Sequence, residues 1–272
     1  MENILQNGRI ILKDMKGLTK MRIGIPLSLH SKEEGKAPVL DISYQSKMLS
    51  LLKKGLSNQN PQLFNELYSK NQIKNFATSV FFPHAQFYGK KIILGSEQNA
   101  IFYFSTNDIK LGLNIFNAFQ WLRQHSPLSF NSQLDVNVGR VFDVPLSTIT
   151  SSQVIFKTMS PLVVRRQDGY FLSCTSQRIT AEFKKALITS VKAHLSSSEL
   201  KDKAEQLEFK PIKMRKTVMR PFGQFIEASV GTFELSGDPL LLNEIFNSGL
   251  GGKRGSFAGM LGLAKEVDKN DI

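Results

Sequence analysis

The sequence has little cysteine, little histidine and no long apolar run, and each shortage excludes a class of protein. Of its 272 residues one is cysteine and four are histidine. The single Cys174 excludes an internal disulfide, so the composition suits a reducing cytoplasm and a buried structural thiol. No stretch approaches the roughly 18 apolar residues of a membrane span, and no signal-peptide core begins the chain. No histidine, cysteine or carboxylate cluster has metal-ligand spacing. We therefore expect no membrane, no metal and no cofactor.

What the chain does have is positive charge. Lysine and arginine number 35 against 23 aspartate and glutamate, which gives a net charge of +12 and a pI near 9.7. This surplus favours anionic partners such as nucleic acid or an acidic membrane surface. A length of 272 residues with 41% hydrophobic content permits one large domain or two of about 100 to 150 residues.

The hydrophobic pattern switches between a period of two and a period of about 3.6 from Met21 onward. In the first half this predicts alternating strands and helices in the order β-α-β-β-α-β. The predicted elements are strand 21–29, helix 41–56, a second helix opened by Asn60-Pro61, strands 75–82 and 99–106, a helix from Asn107-Asp108 to just before Ser126, and strand 134–144.

The same order returns after a connector rich in Pro and Ser/Thr at residues 145–153. The predicted elements are strand 154–159, a hairpin at "RRQDGYFLS", helix 179–195, strands 207–219 and 224–235, helix 238–247 and a final strand 256–264. We therefore predict an α+β protein of two tandem ferredoxin-like, RRM-like units, 21–145 and 153–265. A single larger α+β domain is the alternative, and residues 1–20 are an N-terminal extension or an extra edge strand.

A glycine-rich stretch, residues 248–262, surrounds the cations Lys253 and Arg254. Rossmann and Walker loops follow a strand and open a helix, whereas this stretch follows a helix and precedes a strand, so both templates are excluded. What remains is a loop whose missing side chains allow another backbone to approach closely. We expect its amides and both cations to meet phosphates. The predicted contact residues are Gly249, Gly251, Gly252, Lys253 and Arg254.

Other cations lie in the run "FKPIKMRKTVMR", Phe209 to Arg220, which contains no aspartate or glutamate. A run of this kind favours phosphate contact over a solvated face. The predicted RNA-binding residues are Lys213, Arg215, Lys216 and Arg220, with Arg165, Arg166 and Lys54 as weaker candidates. His30, at the end of the first strand, is the histidine best placed for proton transfer, because its neutral fraction at pH 7 suits that role.

Several stretches in order resemble one family: "MRIGIPLSL", "NPQLFNELYSKNQIKNFATSVFF", "FYFST", "TMSPLVV" and "GLGGKRGSFAG". They are similar to the CRISPR-associated repeat-RNA endoribonucleases of the Cas-six type, within the RAMP superfamily. The family has a glycine-rich loop between the last helix and last strand of its second unit. One departure is "GMLG", where the family usually closes with an aromatic residue between two glycines.

The resemblance implies metal-independent cleavage within the CRISPR repeat by attack of a ribose 2′-hydroxyl, which leaves a 2′,3′-cyclic phosphate and a 5′-hydroxyl. Matching the family's motif puts Tyr68 where many relatives have histidine and Lys74 where the family often has a catalytic lysine. Lys53 falls near the place of a helix tyrosine found in some members. A phenol titrates near 10, so Tyr68 is a poor base unless a neighbouring cation lowers its pKa.

Three functions follow as hypotheses. The first is an endoribonuclease that processes precursor CRISPR RNA, and the second is a subunit of the same family that binds repeat RNA without cutting it. The third is a ferredoxin-like protein that binds no RNA. A CRISPR effector complex and a second copy of the chain remain open as further partners.

Overall fold

The computed structural model describes residues 20–69, 73–96 and 99–264, together with the backbone of Leu5–Gln6 and Arg9–Ile10. The chain divides into two compact units. The first comprises residues up to Ile73 and Val80–Pro145, and the second comprises Lys74–Ser79 and the residues from Leu146 onward. The boundaries 21–145 and 153–265 stay a prediction. None of the described helices has the length and apolarity needed to cross a membrane.

The chain from Met21 to Val138 has the predicted order of main elements. They are β1 (Met21–Ser31), α1 (Gln45–Gln59), α2 (Pro61–Tyr68), β2 (Phe76–Phe81), β3 (Ala100–Thr106), α3 (Ile109–Gln124) and β4 (Leu134–Val138). Short strands add to them at Val39–Asp41, Gln86–Tyr88, Lys91–Ile93, Leu128–Ser129 and Phe142–Asp143.

The helix starts in this unit follow the sequence. The side chain of Asn60 accepts a hydrogen bond from the Leu63 amide at 3.0 Å, with Pro61 at the first helical position, so the predicted start of α2 is confirmed. Asp108 caps α3 in the same way through the Leu111 amide at 3.1 Å. Because these caps satisfy amides that lack a partner within the helix, each fixes where its helix begins.

The second unit repeats the order. It contains β5 (Gln153–Thr158), α4 (Ala181–His194), α5 (Ser198–Ala204), β6 (Glu208–Met219), β7 (Ile226–Ser236), α6 (Pro239–Ser248) and β8 (Leu261–Leu263). A predicted hairpin is present as Val164–Arg165 paired with Phe171–Leu172, and single 3₁₀ turns occur at Pro221–Gly223 and Arg254–Ser256.

Both sheets are antiparallel and have the same strand order. It is β2-β3-β1-β4 in the first, continued by Leu128–Ser129, and β6-β7-β5-β8 in the second. Numbered within each unit, both orders are 2-3-1-4, with helices in the two crossovers, so the predicted tandem ferredoxin-like fold is confirmed. Aromatic side chains pack in both cores. The ring centres of Phe102 and Phe119 are 5.0 Å apart in the first core, and those of Phe209 and Phe233 are 4.7 Å apart in the second.

Three details differ from the sequence-based expectation. The final strand is only Leu261–Leu263, because residues 254–260 form a turn and a buried loop in which Phe257 has a φ of 65° that a strand cannot accommodate. Helix α5 was missed, although Ser197 caps it at the Leu200 amide. Within the predicted extension 1–20, Leu5–Gln6 pairs with Arg9–Ile10, and the other residues before Lys20 lie outside the described ones.

Candidate functional site

The glycine-rich loop runs from the end of α6 to β8 and is held by backbone hydrogen bonds. The Leu250 amide donates to the Gly259 carbonyl, the Gly252 amide donates to Val163 and the Gly259 amide donates to Pro161, each at 2.8 Å. The chain therefore closes on itself and is also fastened to the segment after β5. Three backbone hydrogen bonds therefore constrain this loop, although its composition is that of a flexible linker.

Two of the glycines are required by this shape. Gly251 has a φ of 79°, and a Cβ placed there would lie 2.4 Å from the Val163 carbonyl oxygen. Gly259 has a φ of 69°, and its Cβ would lie 2.0 Å from the Leu250 carbonyl oxygen. Since both neighbours are backbone atoms, which cannot move aside as a flexible side chain can, any side chain at either position would open the loop.

Arg254 lies inside the loop and not on its surface. It is 3% exposed, and its guanidinium donates to the Ser248 carbonyl at 2.8 Å, the Gly249 carbonyl at 3.2 Å and the Lys74 carbonyl at 2.9 Å. Burial lowers the pKa of Arg254 to about 10, so it remains charged at neutral pH. The prediction that Arg254 is free to meet a phosphate is wrong, because the side chain is buried and both of its terminal nitrogens donate to acceptors within the protein. Gly249 and Gly251 are also buried, whereas Lys253 is exposed and Gly252 is partly exposed.

The segment Lys74–Ser79 packs against this loop within the second unit. The Thr78 hydroxyl donates to the Arg254 carbonyl at 3.2 Å and accepts from the Phe257 amide at 3.0 Å. A Cβ on Gly255 would lie 2.9 Å from Cδ of Lys74. The fold thus brings together the candidate Lys74 and the glycine-rich loop, which are about 180 residues apart in the chain.

Tyr68 and Lys53 also come together, in the first unit. The Lys53 ammonium lies 4.5 Å from the centre of the Tyr68 ring, at the end of α2. Nevertheless, burial raises the pKa of Tyr68 above its ordinary value. A cation does lie beside Tyr68, but desolvation outweighs it, so less phenolate is available at neutral pH than for a free tyrosine.

His30 is exposed near the end of β1 and lies opposite Asp135 of β4 in the strand register. His84 is exposed in the turn after β2, and the ring of His125 stacks on Trp121 at 4.0 Å. His194 ends α4, where burial, with a smaller contribution from the charge of Arg254, lowers its pKa to about 4. The role expected of His30 stays a prediction.

The β6–β7 hairpin carries exposed cations and exposed aromatic rings together. Lys213 and Arg215 point to solvent, and the Arg220 guanidinium lies 4.2 Å from the centre of the Phe225 ring. Phe222 and Phe225 at the hairpin end are 61% and 67% exposed. A basic strand beside exposed rings can contact phosphates and stack on bases.

Three other cations that were predicted to bind RNA already have partners within the protein. Arg166 is paired with Asp168 and with Glu182, and Lys216 is paired with Glu227. The Arg165 Nε donates to the Gly169 carbonyl at 3.0 Å. Because their charge or donors are partly satisfied within the protein, these residues have less to offer a phosphate than Lys213 or Arg215. Lys54 is exposed on α1.

The described part of the chain contains no group of three or more His, Cys, Asp or Glu side chains that could hold a metal ion. Cys174 is 1% exposed, so the predicted buried thiol is confirmed.

Comparison with known proteins gives a match in the second half of the chain. Residues 144–263 match the family model described as CRISPR associated protein Cas6, C-terminal. The matched region is less than half of the chain and includes the glycine-rich loop and β8. The resemblance found in the sequence is confirmed. No curated protein sequence matches the chain.

Solved structures agree with the fold over nearly the whole chain. The product of a Cas6-related gene from Pyrococcus furiosus is 17% identical, with a TM-score of 0.74, over 91% of this chain and 100% of that one. A RAMP protein that binds different RNA substrates is 19% identical, with a TM-score of 0.73, over 90% and 100%. A Cas6 product complex is 16% identical, with a TM-score of 0.62, over 89% and 98%. At these identities the likeness establishes the fold shared with Cas6 and RAMP proteins.

Two residues of the site were missed by the sequence analysis. Phe225 stacks against Arg220, and its place two residues after the turn glycine of "RPFGQF" could have indicated it. Thr78 connects β2 to the glycine-rich loop, and no local pattern could have indicated it, because its partners follow 176 and 179 residues later.

Proposed function

We propose that this protein binds CRISPR precursor RNA and cleaves it within the repeat without a metal ion. The match of residues 144–263 to the Cas6 C-terminal family model and the likeness to a Cas6 product complex support this proposal. The observation that carries it is the rigid glycine-rich loop fastened beside Lys74 by Arg254 and Thr78. A cation held by a rigid backbone is suited to a reacting phosphate, because electrostatic stabilisation depends on groups that are already in place.

In the proposed reaction the ribose 2′-oxygen attacks the adjacent phosphorus and the bond from phosphorus to the 5′-oxygen breaks. The 2′-hydroxyl proton passes to a base, and an acid returns a proton to the leaving 5′-oxygen, so a 2′,3′-cyclic phosphate and a 5′-hydroxyl form. We assign Lys74 to the phosphate charge and His30 to proton transfer. Tyr68, with its raised pKa, is suited to donate a hydrogen bond, and Lys53 is suited to orient it.

For RNA binding we propose the exposed Lys213 and Arg215 and the partly exposed Arg220 of the β6–β7 hairpin, with Lys253 of the loop. Arg165, Arg166, Lys216 and Lys54 are secondary contacts. Base-paired RNA stems would be bound through their phosphates and their shape. Single-stranded RNA would be bound through stacking of its bases on Phe222 and Phe225. A CRISPR effector complex and a second copy of the chain stay predictions as further partners.

The alternative is a subunit of the same kind that binds repeat RNA without cutting it. The surroundings of Tyr68 favour this alternative, since a tyrosine whose pKa is raised by burial cannot replace a histidine as general base near pH 7.

One experiment separates these functions. The protein is incubated in EDTA with repeat RNA and with the same RNA carrying a 2′-deoxy sugar at the cut site. Cleavage of only the first supports the endoribonuclease, and tight binding without cleavage supports the subunit. Absence of both overturns the proposal. Lys74→Ala is expected to lower the cleavage rate, whereas Lys110→Ala, which removes an exposed lysine from α3, is its matched control.

A further inference from the structure

A short three-stranded sheet in the first unit has no counterpart in the βαββαβ order. The hairpin Gln86–Tyr88 and Lys91–Ile93 turns at Gly89, which has a φ of 54°, and pairs through Lys91–Ile93 with Val39–Asp41. Leu40 and Ile92 bury one face, at 2% and 1% exposure. The hairpin is therefore anchored at its base, while its turn is free to project from the unit.

Two adjacent aromatic side chains at this turn are exposed to solvent. Phe87 and Tyr88 are 63% and 64% exposed. Successive side chains of a strand point to opposite faces, so Phe87 lies on the face of Ile92 and Tyr88 on the face of Lys91, and each face of the hairpin carries one exposed ring. A tyrosine or phenylalanine ring has few rotatable bonds, so it loses little entropy when a flat ligand stacks on it.

The charge beside these rings is positive. Lys90 and Lys91 follow Tyr88 directly, both are exposed, and Tyr88 lies opposite Lys91 in the register. The chain from Leu67 to Ser96 contains no aspartate or glutamate. Asp41, which faces Lys91 across the sheet, accepts hydrogen bonds from the amide and hydroxyl of Ser43, at 2.8 and 2.6 Å. The turn therefore combines flat apolar rings with cations.

We propose that this hairpin, residues 86–91, is a second RNA contact that stacks unpaired bases on Phe87 and Tyr88 and meets phosphates with Lys90 and Lys91. Single-stranded RNA is the occupant because only unpaired bases leave their faces open for stacking, whereas a duplex offers phosphates alone. The inference rests on the proposed function, since it assigns the hairpin to RNA outside a base-paired stem.

The test measures binding of the full chain to a fluorescent 12-nucleotide uridine RNA and to a 12-base-pair RNA duplex. Phe87→Ala/Tyr88→Ala is expected to weaken uridine RNA binding about tenfold and to leave duplex binding nearly unchanged. Lys90→Gln/Lys91→Gln is expected to weaken both and to reduce the salt dependence. The matched controls are Leu240→Ala, an exposed apolar residue of α6, and Lys110→Gln/Lys184→Gln, which removes the same charge elsewhere.

Tyr88→Trp should retain binding and report it directly, because a stacked base quenches the indole. Equal binding of uridine RNA by the wild type and by both hairpin variants would overturn this inference and leave the proposed function intact. If the hairpin variants lose binding to a poly-glutamate peptide but still bind RNA as the wild type does, the hairpin would be assigned to an acidic protein partner. That result would also overturn this inference. Failure of the wild type to bind either RNA, or repeat RNA, would instead overturn the proposed function.

Discussion

The glycine-rich loop and the end of the β6–β7 hairpin have similar sequences and opposite surroundings. Each has glycine, phenylalanine and arginine within a few residues, "GGKRGSF" in the loop and "MRPFGQF" in the hairpin. In the loop Arg254 and Phe257 are 3% and 2% exposed, whereas in the hairpin Phe222 and Phe225 are among the most exposed apolar residues. The same residue types therefore fix a backbone in one place and form a surface in the other.

The difference follows from what each segment connects. The hairpin turn joins neighbouring strands, so its residues extend beyond the sheet with solvent on most sides. The loop returns from α6 to β8 against the segment after β5 and against Lys74–Ser79, which supply carbonyl and hydroxyl partners. An arginine can remain inside the protein in such a place because carbonyl oxygens accept hydrogen bonds from both of its terminal nitrogens.

The largest effect is expected from Arg254→Ala. It leaves the Ser248, Gly249 and Lys74 carbonyls without their donor inside the protein, which should lower the free energy of unfolding by about 3 to 5 kcal/mol. Chemical denaturation measures this loss. Arg254→Lys keeps the charge but cannot reach all the acceptors, so it should lose nearly as much. Lys253→Ala, the exposed neighbour, is the control, and equal losses for Lys253 and Arg254 would contradict the comparison.

Gly259→Ala should destabilise the protein by about 2 to 3 kcal/mol, because a Cβ at this φ of 69° meets the Leu250 carbonyl oxygen. Gly252→Ala is the matched control: no atom lies closer than 3.8 Å to its added Cβ, so little change is expected. Thermal denaturation of both variants gives the comparison. A similar melting temperature for the two variants would show that the loop is not held as described.

His194 should make stability depend on pH. With its pKa lowered to about 4 from 6.5, the unfolded chain binds a proton between these values while the folded chain does not. The free energy of unfolding should therefore fall as the pH drops from 6.5 to 4, by on the order of 2 kcal/mol, and this contribution should be constant below pH 4. Denaturation of wild type and His194→Gln across this range isolates the effect, and parallel pH profiles would refute it.

The smallest effects concern the exposed surface. Arg215→Gln should weaken binding of repeat RNA about fivefold and lower the slope of log affinity against log salt by about 1, without changing stability. Lys216→Gln should weaken binding less than about twofold, since its ammonium is already paired with Glu227. Titrations at several salt concentrations measure both. A larger effect for Lys216 would mean that RNA breaks that ion pair.

Much of the scaffold could be predicted from local pattern. The alternation of "MRIGIPLSL", the caps at Asn60 and Asp108 and the aromatic strands around Phe102 each depend on residues close in sequence. Helix α5 and the strand Val39–Asp41 were not predicted, because each is short and the strand depends on pairing with Lys91–Ile93, about 50 residues later.

By itself the sequence determined the repeated βαββαβ order, the positive charge and the place of the glycine-rich loop between α6 and β8, because periodicity, composition and order are properties of a chain. Only the tertiary structure decided which cations reach solvent. Arg254 and Arg215 are the same residue type, and the sequence alone does not show which of them is buried. Burial depends on distant neighbours such as Lys74, whose carbonyl accepts a hydrogen bond from Arg254 although the two residues are 180 positions apart.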